Sequence, residues 1–272
     1  MDQQSMLETI EKVRAMKPLV HNITNVVVTN FTANGLLALG ASPVMTVARD
    51  EAADMARIAG ALVLNIGTLD EDIVSSSLLA GRSANAHGVP VVFDPVGAGA
   101  TAYRTDTSHR ILKELRVTIV RGNAAEIANL LGLAGTIKGV DAAGAAEDTE
   151  ALAVQAAQAF DCVVVITGKD DYVSDGRVTY KVIGGTPLLT YVTGTGCLLT
   201  SIIGAFAAAV NDPVAAAVSA LSFYGAAAVL AERNSGPEQP GSFQTELINQ
   251  LYRLDGQAWR ELIQIERIVK KQ

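Results

Sequence analysis

Ala61-Leu62-Val63-Leu64-Asn65-Ile66-Gly67-Thr68 is a continuous apolar run that breaks abruptly into polar and small residues. Three later stretches repeat it. Val89-Pro90-Val91-Val92-Phe93 ends at Asp94-Pro95, Val117-Thr118-Ile119-Val120 at Arg121-Gly122-Asn123, and Cys162-Val163-Val164-Val165-Ile166 at Thr167-Gly168-Lys169. Helical patterns over 71–86, 107–115 and 149–160 separate the four runs. Short apolar runs alternating with helices are strands of a parallel sheet covered on both faces. Each breaks at its carboxyl end, the edge where open α/β sheets bind ligands. The spacing therefore lines up Asn65, Asp94, Arg121, Asn123 and Thr167 along one rim.

Toward the N-terminus, residues 8–16 read as a helix ended by Pro18, and 19–25 as a short extended piece. A helix over 26–39 follows, with Gly40 as its stop, then Ser42-Pro43-Val44-Met45 and a helix over 50–59. Toward the C-terminus, 170–189 alternates as a short antiparallel excursion of two or three strands. Residues 236–241 and 135–144 read as loops, and 243–251 and 257–268 as closing helices. With no internal repeat and no long linker, the expectation is one α/β domain over 1–272. It has three layers, α/β/α, with a mostly parallel central sheet.

Val192-Thr193-Gly194-Thr195-Gly196-Cys197-Leu198-Leu199-Thr200 leads into an apolar run with no proline before Pro213. Glycines let a backbone approach a ligand closely, and the free N–H groups of a helix start attract anions. Read alone, the stretch is either a phosphate site or a plain Gly-rich turn capping a buried helix.

The chain has 272 residues, of which 49% are hydrophobic and 18% charged, enough apolar material for a sizeable core. Its net charge of −7 argues against nucleic acid or an anionic membrane as partner. The uncharged stretch 214–231 has the length of a membrane span. It contains Ser219, Ser222 and Tyr224, however, and reads better with 202–210 as a buried helix pair. Cys162 and Cys197 have no metal-ligand spacing, and the polar N-terminal residues lack an apolar signal segment, so a soluble cytoplasmic protein is expected.

Asp94 and Glu126 are the carboxylates of interest, set at neighbouring strand ends where two acids could hold Mg²⁺ loosely through waters. Glu126 by itself reads better as an acid satisfying a helix N-terminus, and Asp94 could be a turn residue. Arg121 offers a cationic fork for phosphate, and Thr167 and Gly168 offer hydrogen bonds or merely end a strand. Gly97-Ala98-Gly99-Ala100-Thr101-Ala102 fits G-x-G-x-x-A, but lies mid-sheet with no strand-end acid about twenty residues on, so we set the dinucleotide reading aside. His21, His87 and His109 form no triad pattern; His21 suggests at most an orienting role toward the Asn25 loop.

In order along the chain, several motifs together resemble the hydroxyethylthiazole kinase family of the ribokinase-like superfamily. They are His21-Asn22-Ile23-Thr24-Asn25, Ala41-Ser42-Pro43-Val44-Met45, Leu64-Asn65-Ile66-Gly67-Thr68 and Asp94-Pro95-Val96-Gly97-Ala98-Gly99-Ala100-Thr101, then Arg121-Gly122-Asn123-Ala124-Ala125-Glu126, Ile166-Thr167-Gly168 and 192–200. The resemblance implies a ribokinase-like fold and ATP-dependent phosphorylation of the primary alcohol of 4-methyl-5-(2-hydroxyethyl)thiazole, toward thiamine. It also implies a homotrimer with sites at subunit interfaces. By the family's pattern Met45 and Gly194 contact the thiazole with Asn25 nearby, Arg121 and Thr167 contact ATP, and Asp94 and Glu126 arrange Mg²⁺. Most of the superfamily carries an aspartate base where Cys197 stands, and the thiazole kinases carry cysteine, so the departure favours the narrower family. It leaves Cys197 as the catalytic candidate at the base position. A nucleotide-dependent repair lyase, a pyrimidine alcohol kinase and a non-catalytic nucleotide module are the competing readings.

Overall fold

The computed structural model describes residues 3–133 and 144–268, with side chains in the helix opening at Gly144 described from Thr149 on. The expected loop over 135–144 falls mostly outside the described residues. Among these residues nine strands form one sheet. They are β1 (Leu19–Ile23), β2 (Ser42–Val44), β3 (Ala61–Asn65), β4 (Val91–Asp94), β5 (Ile119–Asn123), β6 (Val163–Thr167), β7 (Asp171–Ser174), β8 (Thr179–Val182) and β9 (Ile265–Ile268). Their spatial order is β2-β1-β3-β4-β5-β6-β7-β8-β9, parallel through β6 and antiparallel from β7 onward.

Alternate residues of each strand feed two separate cores. Val63, Val92, Ile119, Val163 and Val165 face one way, while Leu62, Leu64, Val91, Phe93, Val120, Val164 and Ile166 face the other. The first face is covered by α1 (Gln3–Met16), α2 (Thr29–Leu39), α8 (Thr195–Ala209), α9 (Pro213–Ser235), α10 (Pro240–Arg253) and α11 (Gly256–Leu262). The second carries α3 (Arg49–Ile58), α4 (Glu71–Ala86), α5 (Ala102–Glu114), α6 (Ala124–Leu130) and α7 (Gly144–Phe160). These are the three layers expected, and burial on both sides explains why the strands read as unbroken apolar runs. The helix α9 is long and apolar enough to cross a membrane, but most of its apolar length is buried within this core.

α8 lies directly on the sheet because its inner face is small: a Cβ on Gly204 would meet Val63 Cγ2 at 2.8 Å. That approach, together with Gly194 in the left-handed conformation at φ +87° as N-cap, sets the start of α8 against the carboxyl ends of the strands.

Several boundaries differ from expectation: the helices expected over 8–16 and 107–115 begin earlier, at Gln3 and Ala102. The helix after Asn25 begins only at Thr29, and Val26 and Val27 are exposed at 70% and 66% rather than turned to the core. The strand expected over 117–120 is shifted, so Arg121, Gly122 and Asn123 belong to β5 and pair with Val165, Ile166 and Thr167. The closing helix expected over 257–268 ends at Leu262. The remaining residues form β9, because β8 offers an unpaired edge that the backbone of 265–268 satisfies.

Candidate active site

Asp94 closes β4 in the middle of the sheet and is 1% exposed. Its Oδ2 accepts from Thr200 Oγ1 at 2.7 Å and Asn65 Nδ2 at 3.1 Å, and Arg121 Nη1 stands 3.6 Å away. Its Oδ1 is buried without a hydrogen-bond partner. Burial pushes the carboxyl up to about 6, against the lowering pull of Arg121 and the Thr200 hydroxyl; nearby Glu126 pushes it further up.

Arg121 lies across the start of α8. Its Nη2 donates to Thr167 Oγ1 at 2.6 Å, and a Cβ on Gly196 would sit 2.7 Å from its Nη1. Glycine at 196 is therefore what lets a guanidinium pack on the helix N-terminus. Two positive features, the fork and the first amides of α8, converge where β4, β5 and β6 end. Such a combination stabilises phosphate oxygens.

Cys197, in the first turn of α8, receives two amide donors: Asn25 Nδ2 and Asn65 Nδ2, each 3.3 Å from Sγ. Burial raises the thiol above its ordinary range, and Asp94 raises it further; the two amides and Arg121 oppose this. Asn25 is thus buried beside the sulfur. Gly194 packs on the same segment as Asn25, since a Cβ there would meet Val28 Cγ1 at 2.6 Å and Phe31 Cδ1 at 3.4 Å. Met45 lies half-buried just beyond β2, at the far edge of the sheet from Thr167. His21 is tied to that edge and not to the Asn25 loop: its Nε2 donates to the Thr46 carbonyl at 2.9 Å.

Glu126 completes a capping box at the start of α6, accepting from Asn123 N at 2.9 Å while Asn123 Oδ1 accepts from Glu126 N. Its Oε1 also accepts from Gly97 N at 2.8 Å, which draws the loop after Asp94 toward the carboxylate. The helix-capping reading of this acid is thus realised, and the same contact brings it near Asp94. Among the described residues there is no group of three or more His, Cys, Asp or Glu suited to a metal.

Four residues with a part in this rim were given no role from the sequence. Asn65 holds both Asp94 and Cys197, and Thr200 holds Asp94. Arg104 ties the loops after β3 and β4 by donating to the carbonyls of Ile66, Gly67 and Val96 at 2.6 to 2.8 Å. Asp171 accepts from Gly168 N at 3.0 Å, and desolvation pushes it up to about 7 although Arg121 draws it down. The signal for Asn65 was present in its strand-end position; that for Thr200 was its place one helical turn after Gly196.

The sequence model of the hydroxyethylthiazole kinase family matches residues 10–257. This chain belongs to the hydroxyethylthiazole kinase family. A hydroxyethylthiazole kinase protein from Pyrococcus horikoshii OT3 is 44% identical, with a TM-score of 0.91, over 98% of this chain and 100% of that one. Two remoter structures share the fold. The pyridoxal kinase of Staphylococcus aureus is 18% identical with a TM-score of 0.65, over 92% and 98% of the two chains. The NAD(P)H-hydrate dehydratase of Bacillus subtilis is 18% identical with a TM-score of 0.60, over 93% and 97%. The protein is a kinase with a three-layer ribokinase-like fold.

Proposed function

We propose that this site transfers the γ-phosphoryl group of ATP to the primary hydroxyl of 4-methyl-5-(2-hydroxyethyl)thiazole, in the cytoplasm, as a salvage step toward thiamine. The observation that carries the chemistry is the convergence of Arg121, the α8 N-terminus, Cys197 and the unpartnered Asp94 Oδ1 at neighbouring strand ends. The two free cysteines accord with a reducing compartment.

Arg121 and Thr167 bind and orient the ATP phosphates, and the amides of Gly194 to Cys197 stabilise charge as it builds on the transferring group. The alcohol oxygen forms a bond to the γ-phosphorus as the bond to the ADP oxygen breaks, and ADP leaves with that electron pair. In a loose transition state the alcohol loses its proton late. Cys197 Sγ, in its thiolate form, accepts that proton. Asp94 suits Mg²⁺ because its Oδ1 is an ionisable oxygen, buried, with no protein donor; Glu126 would assist through water. When bound there, the ion would supply charge neutralisation for the phosphates.

The thiazole lies toward Met45 and Gly194, with Asn25 beneath. Exposed Val26, Val27, Val47 and Tyr191 flank these residues, and apolar side chains so exposed beside a site support burial against another copy. A homotrimer with the alcohol bound at subunit interfaces is the assembly we assign. An ADP-release assay tests the reaction: protein with Mg-ATP and the thiazole alcohol, beside the pyrimidine alcohol of thiamine synthesis and a no-alcohol control. ADP with the thiazole alone, and a phosphorylated thiazole by mass spectrometry, is expected. Turnover of the pyrimidine alcohol instead would overturn the substrate assignment.

A further inference from the structure

Asn65, the last residue of β3, is 2% exposed and makes four polar contacts, all within the rim. Its Oδ1 accepts from Gly67 N at 2.9 Å. A backbone N–H only donates, so this bond decides which amide atom is oxygen. The nitrogen must then face the other side, where it has two acceptors: Asp94 Oδ2 at 3.1 Å and Cys197 Sγ at 3.3 Å. The oxygen accepts in addition from Asn25 Nδ2 at 3.2 Å, and that same nitrogen is Cys197's second donor. One side chain thus directs both donors onto the sulfur and occupies the Asp94 oxygen that Thr200 and Arg121 also hold.

Holding the turn to Gly67 and the Asn25 amide requires only the acceptor half of Asn65. The donor half contributes nothing to either. It joins the two groups on which phosphoryl transfer depends, across β3, β4 and α8.

We propose that Asn65 is a positioning residue for phosphoryl transfer: its Nδ2 fixes the Cys197 sulfur and the Asp94 carboxylate relative to each other. The sulfur is thereby presented to the alcohol as a hydrogen-bond acceptor, and Oδ1 is left as the carboxylate's free oxygen. The proposal rests on the reading of Cys197 as the group that takes the hydroxyl proton. Asn25 is oriented through Asn65 and follows it.

The test compares Asn65→Ala, Asn65→Asp, Cys197→Ala and the two double variants in the full-length enzyme, with thermal unfolding as the check on folding. Asn65→Asp keeps both accepted bonds, and so the turn, but removes the amide donor. Each Asn65 variant is expected to lower kcat by roughly 10²-fold with both KM values within about threefold, the pattern of misplaced reacting groups. In the Cys197→Ala background the same changes should cost less than about tenfold, since residues acting through one another do not add. Wild-type kcat in a folded Asn65→Asp enzyme, beside an impaired Cys197→Ala, would overturn the proposal alone. Equal fold-losses with and without Cys197 would do the same. Wild-type kcat in Cys197→Ala would overturn the proton-acceptor reading and this proposal with it.

Discussion

Arg121 and Asp94, on adjacent parallel strands, stand 3.6 Å apart at the centre of the rim, and the guanidinium's other terminal nitrogen donates to Thr167. A planar fork spans both partners at once, which a lysine ammonium on a flexible stem does not. Arg121→Lys should therefore lower kcat/KM by about 10- to 100-fold, mostly through KM for ATP, because charge is retained while bidentate geometry is lost. Steady-state kinetics with ATP varied would show it; an unchanged KM for ATP would remove Arg121 from the nucleotide site.

Asp94 and Cys197 should differ in weight. Asp94→Ala removes the oxygen suited to the metal and should cost about 10³-fold in kcat/KM, whereas Cys197→Ala should cost roughly 10- to 100-fold, because proton removal is late. The comparison is single-substrate kinetics on both variants; the reverse ranking would mean that the sulfur, not the carboxylate, dominates.

The thiol lies above its ordinary range, so little thiolate exists at neutral pH and wild-type kcat should rise as pH rises into the alkaline range. A carboxylate at the same place is ionised at lower pH, so Cys197→Asp should keep or increase activity at pH 7 and flatten the profile. A pH–rate series on the two enzymes checks this, and an inactive but folded Cys197→Asp would sink the base-position idea.

Asp94 also predicts a stability slope. Its folded-state pKa is raised from 3.8 to about 6, mainly by burial. The folded protein therefore holds this proton more tightly than the unfolded chain, and stability falls as pH rises from about 4 to 6. The full effect is on the order of 3 kcal/mol, about two pH units of linkage. Urea unfolding at pH 4.5 and 7 should show a smaller difference for Asp94→Asn than for wild type; identical differences would mean the carboxyl titrates normally.

The proposed assembly is checked by light scattering after gel filtration, where a mass roughly three times 28.4 kDa is expected. Val27→Glu places a charge on an exposed valine next to the Asn25 loop and should lower both the mass and thiazole turnover. A wild-type monomer of full activity would remove the interface from the mechanism.

The sheet was legible because burial on both faces leaves little choice of residue: β3 and β6 read as strands from apolarity alone. Their common polar edge then placed Asp94, Arg121 and Thr167 side by side before any contact was known. What stayed hidden depends on contacts between distant segments. Thr200 meets Asp94 only because small residues let α8 settle on the sheet, and Asn65 meets Cys197 across 132 positions. Glu126 carried two legible roles, and the capping box realises one without settling the other. β9 was missed because 265–268, Ile-Glu-Arg-Ile, suits a helix end as readily as an edge strand; the open side of β8 decided.

That last strand has a consequence for anyone shortening the chain. β9 occupies the outer side of β8 from Thr179 to Val182, and Ile183 N extends the pairing to the Gln264 carbonyl. A truncation before residue 264 would remove β9 and leave β8 with a bare row of amides and carbonyls at the edge of the eight strands that remain. Such an edge is a template for intermolecular pairing, so the trimmed protein would stick to itself long before its catalytic rim came apart.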